Sequence, residues 1–516
     1  MNFKKRATAL SVALLAGAGA SAQDFTRTPA AAPAGNTWIK LYGEVLGERQ
    51  FSPTPEDIQA TSDGGFIAVA QSMTSMGHET WLIKLDASGN PLWQELVGVP
   101  GLPPGSYSIG LSVQQTTDGG YILGGGTLGG GSGDDCPLLS GIECVWASKL
   151  DPGGELLWSR AYRAGYVGSS LYKIRNASDG GYIGVGYAKT SSDNYGALLL
   201  KLDDLGNIQW QSVLGPLIES TGSTNAIFND VQQTGDGGYV ATGEFYRPRA
   251  GPPLTSVLVV KLDAGGNVQW QVGYNNFDGS GSATGAQRAM SIIQNADDGY
   301  LVVGSWNNQA QPAGVNALFL KMDSSGNVQW QKAYDGGSYC YFDGYSTRCA
   351  RIGGLIRSVV QTVDGAYVVG GFSKQIFLDS VPIEAWLAKT DSSGNLLWQY
   401  LYYAVLPRTG RPLGEYFAAV APADDGGFAA IGLSLIYDLE IHDLYVVKTD
   451  DAGLVGACGE VYSPPPLTSV DPAMTVSTPS LPVDTAPFSE VVSSPSSTTA
   501  TSINMQQDCG AVSGPP

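Results

Sequence analysis

Histidine is nearly absent from this 516-residue chain, which has only His78 and His442. That scarcity leaves little room for histidine-based metal or acid–base chemistry. Positive charge is scarce as well. There are 28 Lys and Arg against 47 Asp and Glu, giving a net charge of −19 and a pI near 4.4. Phosphate binding needs clustered Lys and Arg, and their absence excludes a nucleic-acid partner. No run beyond the N-terminus is long and apolar enough to span a membrane. Cys-x-x-Cys, Gly-x-Ser-x-Gly, His-x-x-x-His and the Asp-x-Asp-x-Asp-Gly loop with a closing Glu are all missing. Redox-motif, serine-hydrolase, zincin and EF-hand chemistry therefore have no local support, and no cofactor or metal is expected.

What the chain has instead is glycine (69) and a repeated phrase. Lys-x-Asp-x-x-Gly-Asn-x-x-Trp begins at Lys84, Lys201, Lys261, Lys321 and Lys389, with Glu155 in place of Asn in the copy at Lys149 and a worn copy at Lys448 that lacks Trp. Its fixed points are Asp86 and Trp93, Asp151 and Trp158, Asp203 and Trp210, Asp263 and Trp270, Asp323 and Trp330, and Asp391 and Trp398. An apolar run enters, Gly turns the chain and a strand carrying Trp leaves, which describes a hairpin. A second phrase, Asp-Gly-Gly-aromatic, starts at Asp63, Asp118, Asp179, Asp236 and Asp425, with softer copies at Asp297 and Asp364. It follows short β-prone runs such as Ser112-Val113-Gln114-Gln115-Thr116 and is a second hairpin turn.

Seven units at intervals of 52 to 68 residues predict an all-β, seven-bladed β-propeller with four-stranded blades. Trp38-Ile39-Lys40-Leu41-Tyr42 has no partner before it and matches Trp330-Gln331-Lys332-Ala333-Tyr334, whereas the seventh unit lacks its outer strand. The N-terminal strand is therefore expected to complete the last blade and close the ring. Lys4-Lys5-Arg6, an apolar stretch and Ala20-Ser21-Ala22 make residues 1–22 a secretory signal, and cleavage near Ala22 takes the charge to −22. Residues 23–36 are a polar lead, 37–458 the propeller and 459–516 a Ser/Thr/Pro-rich tail, read as a spacer, a glycosylated segment or a poorly ordered end. The mature protein is expected to be secreted, extracellular or periplasmic, and monomeric.

Six cysteines suit an oxidising compartment. Cys136 and Cys144 bracket one long connection and Cys340 and Cys349 another, while Cys458 and Cys509 tie the tail back. A bond closing either short loop would stabilise the fold by about 2.5 kcal/mol in the chain-entropy model.

The combined phrases resemble the repeat of secreted bacterial seven-bladed propeller proteins of the SBBP type, over about residues 38–450. That resemblance implies an exported protein more than any chemistry. Quinoprotein dehydrogenases carry a related Asp–Gly–Trp motif. That motif has one more residue between Asp and Gly than Asp86-Ala87-Ser88-Gly89 shows, and vicinal Cys-Cys is lacking in this chain, which disfavours a quinone-dependent oxidoreductase. Sialidases place a similar box on a structural hairpin, and the recurrent Lys, Asp, Gly and Trp are read here as structural too.

The connections opposite the tight turns vary in length, and binding usually resides in such loops. Tyr339, Tyr341, Phe342 and Tyr345 crowd the Cys340–Cys349 loop, with Trp306 before it and Tyr402 and Tyr403 after it. These aromatics predict a non-catalytic binding or scaffolding module for an extracellular glycan or protein. The alternative is a hydrolase or lyase acting on extracellular polysaccharide through loop carboxylates such as Glu219, Asp278, Asp343, Asp379 and Glu384.

Overall fold

The two tight turns show how directly sequence dictates this backbone. A computed structural model of the chain describes residues 36–493 except for stretches within connections, such as 43–53, 99–106, 129–142, 276–286 and 405–413. Residues 1–35 and 494–516 fall outside it, so the expected signal, cleavage site and Cys509 are not described. In the Asp-Gly-Gly turn, Asp118 Oδ1 accepts the Gly120 amide (2.9 Å), while the Thr116 amide donates to the Gly120 carbonyl (2.8 Å). The middle residue takes positive φ (+84° at Gly119), which favours glycine. In the fifth repeat Asp298 occupies that position at φ 59°, a role Asp tolerates better than most side chains.

Beneath each turn lies the lysine of the other phrase. Lys149 Nζ sits 2.9 Å from Asp118 Oδ2 and donates to the Leu150 carbonyl at 3.0 Å, and its side chain is 5% exposed. The same pair recurs in every repeat, from Lys84–Asp63 at 2.8 Å to Lys448–Asp425 at 2.7 Å. In the sixth repeat it lengthens to 3.5 Å. The third turn residue there is Ala366 instead of Gly, and at the equivalent Gly120 an added Cβ would stand 2.4 Å from the lysine Nζ. One methyl group moves one ammonium.

The sheets correct the expected closed seven-bladed propeller. In place of seven separate four-stranded blades, the strands gather into sheets of four, fourteen, six and ten. The single four-stranded sheet contains Trp38–Tyr42, Ile441–Thr449, Phe428–Ile436 and Gly414–Pro422, with Trp38 paired to Lys448. Backbone pairing merges the first three repeats into the fourteen-stranded sheet and the fifth and sixth into the ten-stranded one, while the fourth keeps its own sheet with Leu217–Glu219 and a tail strand. His78 bridges Tyr107 and Glu143 bridges Gly168 in parallel, and the long strands Val328–Phe342 and Thr347–Gln361 run through the junction of the fifth and sixth repeats.

The tail differs from expectation as well. Gly459–Tyr462, Thr468–Val470, Thr475–Ser477, Val483–Asp484 and Ser489–Ser493 are short strands that add, antiparallel, to outer strands of the sheets. Their extra pairing satisfies edges that would otherwise offer free N–H and C=O groups.

Repeats are held together by tryptophan and glycine. The Gly of each Gly-Asn turn, or of its counterpart, lies on the Trp of the preceding outer strand. A methyl at Gly266 would come 2.7 Å from Trp210, and one at Gly394 2.7 Å from Trp330. Trp38 makes the same contact with Gly89 of the first repeat. Tyrosine adds a second tie, with Tyr162 Oη donating to the Gly206 carbonyl at 2.7 Å and Tyr402 Oη to Gly453 at 2.8 Å. Apolar clusters form across repeats. Leu199 and Val185 of the third pack with Phe228 and Val260 of the fourth, and Ile58 and Ile83 of the first with Ile431 and Val446 of the last. Each such fully buried side chain contributes about 1.5–3 kcal/mol. The Gln-Gln runs stitch neighbours further, Gln114 accepting the Asn176 amide and Gln233 the Ser178 amide.

The lysine–aspartate pair is asymmetric in burial, so its two partners are unequal. Asp118→Ala should destabilise by about 3 kcal/mol by stranding a buried ammonium. Lys149→Met should cost about 1 kcal/mol or less, because the half-exposed carboxylate returns to water. Urea unfolding of the two variants checks the order.

Candidate functional site

Each first strand of the seven repeats carries one residue too many. Its ladder with the second strand skips one position: Glu56, Leu111, Tyr172, Asn229, Met290, Arg357 and Ala418 in order along the chain. A bulge of this kind bends the strand and re-aims the extra side chain. Glycine on the second strand makes room for it. A Cβ on Gly243 would stand 2.0 Å from the Ile227 carbonyl oxygen, and one on Gly371 2.0 Å from that of Leu355.

All seven bulge residues line one cavity of about 390 Å³. Other walls come from the same first strands, with Glu244 and Tyr246 from a second strand. The charged lining is Glu56, Lys173, Arg175, Asp230, Glu244, Arg288 and Arg357, with Asp57 just behind it. Asp57 and Asp230 play matching parts three repeats apart. Asp57 Oδ2 accepts from Ser112 Oγ (3.0 Å), the Val113 amide (3.2 Å) and Lys173 Nζ (2.8 Å). Asp230 Oδ2 accepts from Ser291 Oγ (2.8 Å) and the Ile292 amide (3.1 Å), and its Oδ1 from Arg175 at 3.1 Å. Each aspartate thus joins its strand to the next and anchors one cation at the wall.

The remaining acids behave differently. Burial pushes the Glu56 carboxyl up to about 8, although Gln71 Nε2 donates to it at 2.5 Å and Arg357 and Lys173 favour its charged form. Burial likewise raises Glu244, which accepts from Tyr246 Oη at 2.6 Å and has Arg288 Nε at 3.7 Å. Burial opposes the charge on Asp230 too, but Arg175, Lys173 and the Ser291 and Ile292 donors outweigh it and hold that carboxyl below its usual value. Tyr172 is raised to about 12 by burial and by Glu143 and Glu244. Arg357 rests on aromatic rings, 5.3 Å from the centre of Tyr416, and its buried Nε has no hydrogen-bond partner among the described residues. Burial works against ionisation of Glu56 and so weakens the counter-charge that it offers to Arg357. The arrangement presents donors and positive charge to a ligand, beside one carboxyl whose ionisation burial opposes.

Of the binding aromatics anticipated from sequence, two have described side chains. Trp306 is 4% exposed and Tyr402 0%, and both sit in apolar clusters. For Tyr339, Tyr341, Phe342 and Tyr403 only the backbone strand is described, and Tyr345 lies outside the described residues. Cys340 and Cys349 are register partners. Cys144 is disulfide-bonded, and Cys136, Cys458 and Cys509 lie outside the described residues. Glu219 and Glu384 are described as backbone alone, and Asp278, Asp343 and Asp379 fall outside. His78 packs edge-on to Tyr107 at 6.4 Å, and no side chain of His442 is described. Among the described residues, no three His, Cys, Asp or Glu are grouped to hold a metal ion, and no helix is long and apolar enough to cross a membrane.

The cavity residues were missed because they share no residue type. A signal did exist. Glycine stands seven residues after the turn aspartate in six repeats, as Gly125, Gly186, Gly243, Gly304, Gly371 and Gly432, with Ala70 in the first. An interior strand glycine at fixed spacing marks a bulge.

No family model matches the chain, and no curated protein matches it. Among solved structures it is similar to a protein of unknown function from Dyadobacter fermentans DSM 18053, at 11% identity and TM-score 0.37 over 80% of this chain and 99% of that one. It is also similar to the polysaccharide lyase Uly1, at 8% identity and TM-score 0.44 over 81% and 98%. A third is the tail fibre of Staphylococcus aureus phage P68, at 8% identity and TM-score 0.24 over 82% and 96%. TM-scores this low carry no argument about activity.

Glu56 makes stability depend on pH in a defined direction. Its folded value of about 8 lies above the unfolded 4.5, so the folded state holds more protons between those limits and stability falls as pH rises through them. Glu56→Gln should remove that slope. Urea unfolding at pH 5, 7 and 9 should show the variant gaining on the wild type as pH increases.

Proposed function

We propose that this is an exported binding protein that holds an anionic, hydroxyl-rich ligand, an acidic sugar or the end of an acidic glycan, in the cavity between the seven first strands. The observation that carries this reading is Arg357. It is a cation facing the cavity with an unfilled donor among the described residues, and burial works against ionisation of Glu56, the acid that interacts with it. A carboxylate would supply counter-charge and accept from the guanidinium in the fork geometry that suits both groups. Tyr172, Tyr246 and Asn229 add polar edges for hydroxyls.

A net charge of −19 does not oppose such a ligand at this position, since exposed charges beyond about 8 Å are screened at physiological salt. Of the aromatics expected to bind, Trp306 and Tyr402 are buried in apolar clusters, and the cavity offers polar groups of its own. Export rests on Lys4-Lys5-Arg6, the apolar stretch and Ala20-Ser21-Ala22, and the disulfide at Cys144 suits an oxidising compartment.

Calorimetric titration with uronic-acid oligosaccharides against neutral ones of equal length tests the reading. Preference for the acidic series, weakened about tenfold or more by Arg357→Gln, is the expected result, as a charged hydrogen bond contributes about 1.5–3 kcal/mol. Equal affinity for neutral chains, or indifference to Arg357→Gln, would overturn it. Cleavage of the oligosaccharide in the same mixture would move the assignment to a polysaccharide-acting enzyme.

A further inference from the structure

The short tail strands follow a count that extends beyond the described residues. Each pairs with the outer strand of a repeat, and the order runs backwards along the chain, from the sixth repeat to the second. The register is constant. The residue three after each Trp meets Tyr462 at Leu401, Val470 at Ala333, Ser477 at Gly273, Asp484 at Val213 and Val491 at Ala161. The tail therefore advances by eight residues once and then by seven, three times in succession. Seven extended residues reach at most about 25 Å, which limits each step to a neighbouring outer strand. Proline lies in every connection, at Pro464, Pro472, Pro479 and Pro487, where a missing N–H does no harm to pairing.

Two outer strands have no tail partner among the described residues, Pro91–Val97 of the first repeat and Trp38–Tyr42 of the last sheet. The count continues onto both. Seven residues beyond Val491 is Thr498, due opposite Leu96, three after Trp93, and Pro495 lies in the connection. Seven more is Met505, due opposite Leu41, three after Trp38. The first and last repeats already pack together through Ile58 and Ile431. Cys509 lies four residues past Met505 in sequence and Cys458 four residues before Tyr462, so the same count makes both due between the outer edges of the last and sixth repeats.

We infer that the C-terminal segment is a seven-residue-per-repeat belt that adds a strand to every outer edge, and that Cys458 and Cys509 fasten its two ends. Fastening turns two thiols into one disulfide, and the two protons and two electrons pass to a dithiol–disulfide oxidant of the export compartment. The occupant of the Pro91–Val97 edge is thus this chain's own segment around Thr498. A complete belt makes its own short strands, such as Val483–Asp484 and Thr468–Val470, the outermost ones, and short edge strands are poor templates for addition by another molecule.

Hydrogen exchange of the full chain tests the belt. Replacing Ser497 and Thr498 together by Pro removes the one of these two adjacent amides that faces that edge, since successive N–H groups along a strand point to opposite sides. Amides of 91–98 should then exchange about tenfold faster while those of 156–163, covered by Ser489–Ser493, stay unchanged. A peptide map of the unreduced protein should link Cys458 to Cys509. Unchanged exchange at 91–98, or Cys509 joined elsewhere, would overturn the proposal. So would protection at 91–98 that disappears on dilution, because the strand would then come from a second copy.

Discussion

Everything above the level of a single hairpin depends on an indole lying on a glycine. The Trp of one outer strand covers the turn of the next repeat, and at Gly89, Gly266 and Gly394 a methyl would come within 2.7 Å of the ring. This contact fixes the position of each repeat against its neighbour. It is reinforced by polar ties at the same place, such as Lys332 Nζ to Asn395 Oδ1 and Lys40 Nζ to Asn90 Oδ1, both 2.8 Å. Asn395 and Asn90 answer their own turn aspartates with the amide nitrogen, so one side chain serves two repeats.

Two functional consequences follow from that fixed phase. Inward, it brings the first strands close enough for Asp57 and Asp230 to bond the strands beside them, and it turns seven unrelated bulge residues into the lining of one cavity. Outward, it places the third residue after each Trp at a constant register, which the tail reads strand after strand. A structural contact far from the cavity thereby decides what the cavity contains.

Stability and recognition use charge in opposite ways here. At the turns, Lys149 and its counterparts are buried and their aspartates exposed, and the pairing recurs seven times with one strained copy at Ala366. In the cavity, burial of Glu56 works against its ionisation and weakens the counter-charge that it offers to Arg357. The first pattern is a fixed component of the scaffold, and the second belongs to the cavity.

Local chemistry was legible along the chain. Asp-Gly-Gly and Gly-Asn dictate turns because positive φ and a carboxylate at the amides admit few alternatives, and the repeat count and the strand at Trp38 follow from spacing. Sequence did not determine how those strands join into sheets, since backbone pairing at His78–Tyr107 or along the tail depends on edges that carry no residue signature. Nor did it separate Trp306 and Tyr402, which pack, from Glu56 and Arg357, which face open space. Burial is a property of all the repeats together. A carboxyl's protonation and a cation's want of a partner are decided only when seven distant strands meet.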